Sequence, residues 1–142
     1  ENENTKKLRF DCVEFGTYGN LKAETCVVTY GRVTANAIAA VDALSKSGKD
    51  VFLLSLNKIK PLPKQVTEIL SEKKHVFFFE EGIRSGSVGE RVGSRLLEKG
   101  FGGTYRLTAV DDKFVSQATV EELLKEYKLD TDSIIEIISE EF

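Results

Sequence analysis

The tightest constraint on this chain is the run His75-Val76-Phe77-Phe78-Phe79, followed at once by Glu80 and Glu81. Successive side chains of a strand point to opposite faces, so a strand with no polar alternation needs cover on both. That pattern belongs to a parallel sheet between helix layers, not to a sheet with one wet face. A Gly/Ser turn follows the carboxylates. Val88, Val92 and Leu96 then repeat at the one-face spacing of a helix, with Glu90, Arg91 and Arg95 on its other sides. In such sheets ligands and partners gather beyond the carboxyl ends of the strands. Glu80, Glu81 and the turn stand at that edge.

The rest of the chain alternates in the same way. Phe10–Phe15 alternates in part, Thr25–Tyr30 (TCVVTY) and Val51–Leu56 (VFLLSL) read as buried strands, and Tyr105–Val110 (YRLTAV) is bounded by Asp111-Asp112. Gly16-Thr17-Tyr18-Gly19-Asn20 reads as a turn cluster, so the first two strands are expected to form an antiparallel pair at a sheet edge. Val33–Lys46 is predicted helical, with Val33, Ala37, Val41 and Leu44 on one face and Gly48 as the stop. Pro63 suits the first turn of a helix running through Lys73, with Val66, Ile69 and Leu70 inward. Thr119 and Glu122 form a capping box for a helix carrying Val120, Leu123, Leu124 and Tyr127. Asp130 or Thr131 starts a last helix carrying Ile134, Ile135, Ile137 and Ile138. Residues 1–9 read as disordered or linker, and 10–142 as one α/β domain with its sheet covered on both sides.

Composition closes several doors. With 20 basic and 23 acidic residues the net charge is −3, which supplies no basic stripe for a nucleic-acid backbone. The apolar runs fall far below the about 20 residues of a membrane span. The beginning, ENENTKKLRF, lacks the apolar core of a signal peptide, so a cytoplasmic location is expected. Cys12 and Cys26 are too far apart for a CxxC pair, and His75 is the sole histidine. Metal or redox chemistry would therefore need acidic ligands, and buried, reduced thiols in neighbouring strands are expected. The absence of methionine suggests a processed product or an expressed fragment.

Glu80 and Glu81, as strand neighbours, point apart and do not form a catalytic dyad. One is placed to be held by backbone N–H groups of the following turn or helix start, and the other to meet a partner chain; both would also favour the N-terminus of the next helix. Gly82, Ser85, Gly86 and Gly89 let a backbone approach an anion or another subunit closely. Their spacing is not the dinucleotide fingerprint, because Arg84 and Val88 stand where glycines are required. Gly48-Lys49 is followed by Asp50, with no helix start after it, so it is a helix stop and not a phosphate loop. Arg84, Arg91 and Arg95 suit either a phosphate or solvent-facing ion pairs. His75 has no nucleophile near it in sequence. No set of residues assembles a nucleophile, base and oxyanion donor. Glu80, Glu81, Gly82, Arg84, Ser85, Gly86 and Gly89 are thus assigned as an interface or anion-binding edge, with no catalytic, cofactor-binding or metal-ligating residue.

Several segments in order add a resemblance: VVTYGRVTANAIAAVDAL, VFLLSLNKIKPLP, HVFFFEEGIRSGSVGERV and DDKFVSQATVEELLKEYKLDTDSIIEII. From about Phe10 to Ile138 the chain resembles the C-terminal domain of the transketolase family of thiamine-diphosphate enzymes, and within it most closely the 1-deoxy-D-xylulose-5-phosphate synthases. The resemblance implies a three-layer α/β/α domain with a five-stranded mixed sheet, its first strand antiparallel. It also implies a parent that is a homodimer using thiamine diphosphate and Mg²⁺. That parent joins pyruvate to glyceraldehyde 3-phosphate with loss of CO2, early in isoprenoid and thiamine biosynthesis. In the family, cofactor, metal and the activating glutamate belong to the preceding domains, and the C-terminal domain supports assembly with other domains or subunits. This chain has no GDG motif and one histidine, so it is expected to be inert alone and to bind no cofactor itself. Gly82 and Gly86-Ser87 depart from the Asn and Gly-Gly usual in the synthases, Glu90 replaces a small residue, and Ser116 or Gln117 stands where His is common. These departures leave open an ordinary transketolase, a split subunit, or a stand-alone regulatory module that binds an anion or partner.

Overall fold

A computed structural model describes residues 9–12, 14–57, 62–83, 87–110 and 119–142, with backbone alone for 9–12 and 82–83. The elements run β1 (Arg9–Cys12), β2 (Phe15–Gly19), β3 (Thr25–Thr29), α1 (Val33–Lys46), β4 (Phe52–Leu56), α2 (Lys64–Ser71), β5 (His75–Ile83), α3 (Val88–Glu98), β6 (Thr104–Val110), α4 (Val120–Glu126) and α5 (Thr131–Ser139). One sheet has the order β1-β2-β4-β3-β5-β6. Strands β3, β4, β5 and β6 are parallel, and β2 runs against β4 from Phe15 opposite Leu56 to Gly19 opposite Phe52. Strands β2 to β6 make the expected five-stranded mixed sheet with its first strand antiparallel.

Several details differ from the sequence expectation. Gly16–Gly19 is strand, not turn: pairing with β4 overrides the turn preference of its glycines. Gly19 ends that strand at φ +89, with Val51 O so close that no Cβ would fit. Four-residue β1 adds a sixth strand antiparallel to β2. The antiparallel neighbour is also β4 rather than β3. All five residues of β3 are buried, which suits it to the centre between β4 and β5. Cys26 is buried and free, but β2 and β4 separate its strand from that of Cys12, so the two cysteines are not on neighbouring strands.

The covered run behaves as its composition requires. Phe77 and Phe79 face a layer containing Val33, Ala37, Val41 and Leu44 of α1 and Ile134 and Ile138 of α5. Val76 and Phe78 face Val66 and Leu70 of α2 and Val92 and Leu96 of α3. Each of the three phenylalanines is at most 1% exposed. Burial of each side chain contributes about 1.5–3 kcal/mol. The chain leaves β3 outward to β4, then crosses back past β3 to β5 and on to β6. The direction of winding therefore reverses between β3 and β5. Just past the end of their pairing lie Tyr30 and Glu80.

Candidate functional site

The parallel pairing of β3 with β5 ends with Thr29 beside Phe79, so the next residues, Tyr30 and Glu80, meet where that pairing stops. Pairing of β5 with β6 also shifts between Phe79 and Ile83. An irregularity of this kind re-aims side chains at the end of a strand. Glu80 is fully buried. Its Oε1 accepts a hydrogen bond from Tyr30 Oη at 2.7 Å, and its Oε2 accepts one from the Gly89 backbone N–H at 2.6 Å. Gly89 lies in the first turn of α3, whose N-cap Ser87 accepts from Glu90 N at 3.1 Å. A buried carboxylate is tolerable because both oxygens have donors and one of them belongs to a helix N-terminus.

The surroundings keep this arrangement in one form. A Cβ at Gly89 would strike both Glu80 Oε2 and the Leu107 side chain, so glycine is required by packing. Tyr105 Oη donates to the Gly89 carbonyl at 2.5 Å. Burial, then the hydrogen bond and charge of Glu80, pushes the Tyr30 hydroxyl well above its ordinary range, so it remains a donor. Burial and the charge of Glu80 raise the Tyr105 hydroxyl in the same way.

Glu81 turns outward. Arg32 Nε lies 2.8 and 2.7 Å from its two oxygens, and Arg32 Nη2 lies 2.6 Å from Oε2. These side chains are 53% and 27% exposed. Consecutive glutamates therefore hold the two residues on either side of Gly31, which itself takes φ +71 between β3 and α1. Beneath that turn, Thr34 Oγ1 lies 2.9 Å from Thr29 Oγ1 and 3.2 Å from Ser55 Oγ, a chain of buried hydroxyls linking α1 to β3 and β4.

Of the residues assigned from sequence, Glu80 and Gly89 come together, Glu81 stands on the outer side, and Gly82 is part of the β5 backbone. Arg84, Ser85 and Gly86 lie outside the described residues, as do Lys60-Pro61 and Asp112-Lys113-Phe114 of the resemblance. Arg91 is half-buried on α3 and its charge reaches the Tyr30 hydroxyl, whereas Arg95 is exposed. Sequence reasoning missed Tyr30 and Arg32 as the partners of the glutamate pair. The available signal was parallel register: two covered strands whose pairing ends at one level bring their next residues side by side. His75 sits at the opposite end of β5, with Nδ1 2.8 Å from Thr104 Oγ1 and 3.2 Å from Glu141 Oε1.

This geometry can fix a shape, but both oxygens of Glu80 are already engaged within the domain. Among the described residues, no group of three His, Cys, Asp or Glu side chains gathers to hold a metal ion. Among the described residues, the donor set at this edge does not fit a magnesium–diphosphate group. No helix among the described residues is long and apolar enough to cross a membrane.

Residues 20–134 match the family described as "Transketolase, C-terminal domain". The 1-deoxy-D-xylulose-5-phosphate synthase of Clostridium beijerinckii is 32% identical over 120 residues, covering 84% of this chain and 19% of that protein. The synthase of Clostridium botulinum (strain Eklund 17B) is 33% identical over 110 residues, covering 77% of this chain and 18% of that protein. The chain thus spans about a fifth of the length of these curated relatives. Among solved structures, a split-gene transketolase in an inactive beta4 tetramer aligns with a TM-score of 0.73 at 21% identity, covering 93% of this chain and 43% of that one. The transketolase of Campylobacter jejuni aligns with a TM-score of 0.64 at 14% identity, covering 94% and 20%. These two likenesses concern the fold.

Proposed function

The chain belongs to the transketolase C-terminal domain family, and on that premise we propose that it is the assembly domain of a thiamine-diphosphate enzyme of the 1-deoxy-D-xylulose-5-phosphate synthase type. The parent joins pyruvate to glyceraldehyde 3-phosphate with release of CO2, in the cytoplasm, as a homodimer that uses Mg²⁺. Its cofactor, metal and proton-transferring groups lie in other domains or in a companion subunit. This chain supports that assembly, with Glu80, Gly89 and the Arg32–Glu81 pair fixing the shape of the edge it offers to a neighbouring subunit.

The observation that carries this reading is the use of Glu80. A catalytic carboxylate needs an oxygen within reach of a substrate proton, whereas Glu80 spends one oxygen on Tyr30 and the other on Gly89, fully buried. The same bond argues against an anion at the start of α3, because the Gly89 N–H that would cradle it is taken. Assays with pyruvate, glyceraldehyde 3-phosphate, thiamine diphosphate and Mg²⁺ test the proposal. The 142-residue chain is expected to show no turnover. The polypeptide that also carries the remaining domains, fused or as a separate subunit, is expected to form 1-deoxy-D-xylulose 5-phosphate. Turnover by the chain alone would overturn the reading, as would a reading frame and neighbours that encode no thiamine-diphosphate domain.

A further inference from the structure

The other end of the sheet is built differently. A groove of about 860 Å³ opens there between the last turns of α1 and the ends of β2 and β4. Tyr18, Val41 and Val51 form its apolar floor, and Leu21, Asp42 and Lys46 stand on its rim. α1 packs over β3 and β4, Tyr18 of β2 joins its buried layer, and the groove opens beside the last turns of α1. Leu21 is 58% exposed and extends the apolar floor to the rim. The floor is set in place by two polar contacts: Tyr18 Oη donates to Asp42 Oδ1 at 2.7 Å, and Asn20 Nδ2 donates to Asp50 Oδ2 at 3.0 Å.

The topology says what arrives at this groove. Arg9 of β1 lies opposite Thr17, whereas Cys12 lies opposite Phe15. β1 therefore starts beside the Tyr18–Gly19 end of β2, whose residues line the groove. The matched domain is by description the C-terminal one, and the chain covers only 19% of the C. beijerinckii relative. Most of a parent of that kind would thus be tethered next to Leu21. We infer that this groove, and not the glutamate edge, is the seat of the domain that precedes this one in the parent, which inserts an apolar side chain against Leu21 and the floor and sets a basic side chain beside Asp42 and Asp50.

This inference rests on the assembly reading above but fails separately from it. The test is amide hydrogen exchange of the 142-residue chain compared with the complete parent, fused or reconstituted from its subunits. Amides of residues 19–21 and 42–46 are expected to exchange at least about fivefold more slowly in the parent. Leu21→Asp in the parent is expected to return them to the rate of the chain alone. Leu21 is exposed, so the thermal midpoint of the 142-residue chain should not move and misfolding is controlled for. Equal exchange in chain and parent would overturn the inference, and so would protection confined to residues 30–32 and 81. An active parent with an unprotected groove sinks the groove alone. A protected groove in a parent without synthase turnover upholds the groove and sinks the catalytic reading.

Discussion

The two ends of the parallel strands solve opposite problems. At the carboxyl end, the pairing of β3 with β5 stops and the chain supplies its own partners: Tyr30 and Gly89 for Glu80, Arg32 for Glu81. At the amino end, Leu21 and two aspartates line a groove beside the last turns of α1 that the described residues do not fill. Topology alone marks the first end as the place for a ligand, since winding reverses there. Side-chain bookkeeping gives the opposite answer. An edge at a topological switch point becomes scaffold once a buried carboxylate takes the helix N-terminus that a ligand would have used.

That contrast can be broken most directly at Glu80. Glu80→Ala leaves a tyrosine hydroxyl and a backbone N–H without their acceptor, and should lower the free energy of unfolding by about 3–5 kcal/mol in urea titrations. A change below about 1 kcal/mol would mean that water or a neighbour replaces the carboxylate, and the scaffold description would fail. Gly89→Ala comes next, with an expected loss of about 1–3 kcal/mol, because the new methyl meets Glu80 and Leu107 and α3 must shift.

Tyr18→Phe probes the groove end and should cost about 1 kcal/mol for the lost bond to Asp42. It also carries a pH signature. Burial first, and then the Asp42 hydrogen bond, raises the Tyr18 hydroxyl from 10.0 to about 12. The fold thus favours the protonated phenol. Its contribution is fully present below pH 10 and is lost as the pH rises to about 12. The difference in stability between wild type and Tyr18→Phe should shrink across that interval and be flat at neutral pH. The smallest effect belongs to Arg32→Gln. Its exposed partner Glu81 stays hydrated, so the urea midpoint should stay close to wild type and any residual difference should vanish in molar salt.

Much of the fold could be read from residue pattern. The 14-residue helix α1 has the bounds that Val33, Ala37, Val41 and Leu44 predict, and all four are buried. The Thr119–Glu122 capping box is present with both of its hydrogen bonds. Asp130 starts α5, although its side chain makes no cap bond. What escaped was set by contacts distant in sequence. Gly16–Gly19 carries turn residues, and only the neighbouring β4 makes it a strand. Lys73 reads as the end of a helix, yet it is buried with Nζ bonded to the carbonyls of Leu21 and Ala23 and lying over the Phe52 ring. Burial pulls its amine below the ordinary lysine range. That Glu80 and Glu81 point apart, one of them held by a backbone N–H at the helix start, was legible from strand alternation, whereas the pairing of Glu81 with Arg32 of the same chain was not. Their partners, 50 and 49 residues away, depended on the order of the strands.

The central claim is that Glu80 serves the shape of this domain and not the reaction of its parent. The most direct measurement is kcat per folded active site for Glu80→Gln in the complete enzyme, read alongside its thermal midpoint. A scaffold residue predicts a lowered midpoint with kcat of the folded fraction close to wild type. A fall of about 10²-fold or more in kcat, with the midpoint unchanged, is what loss of a general acid or base would produce, and it would contradict the account.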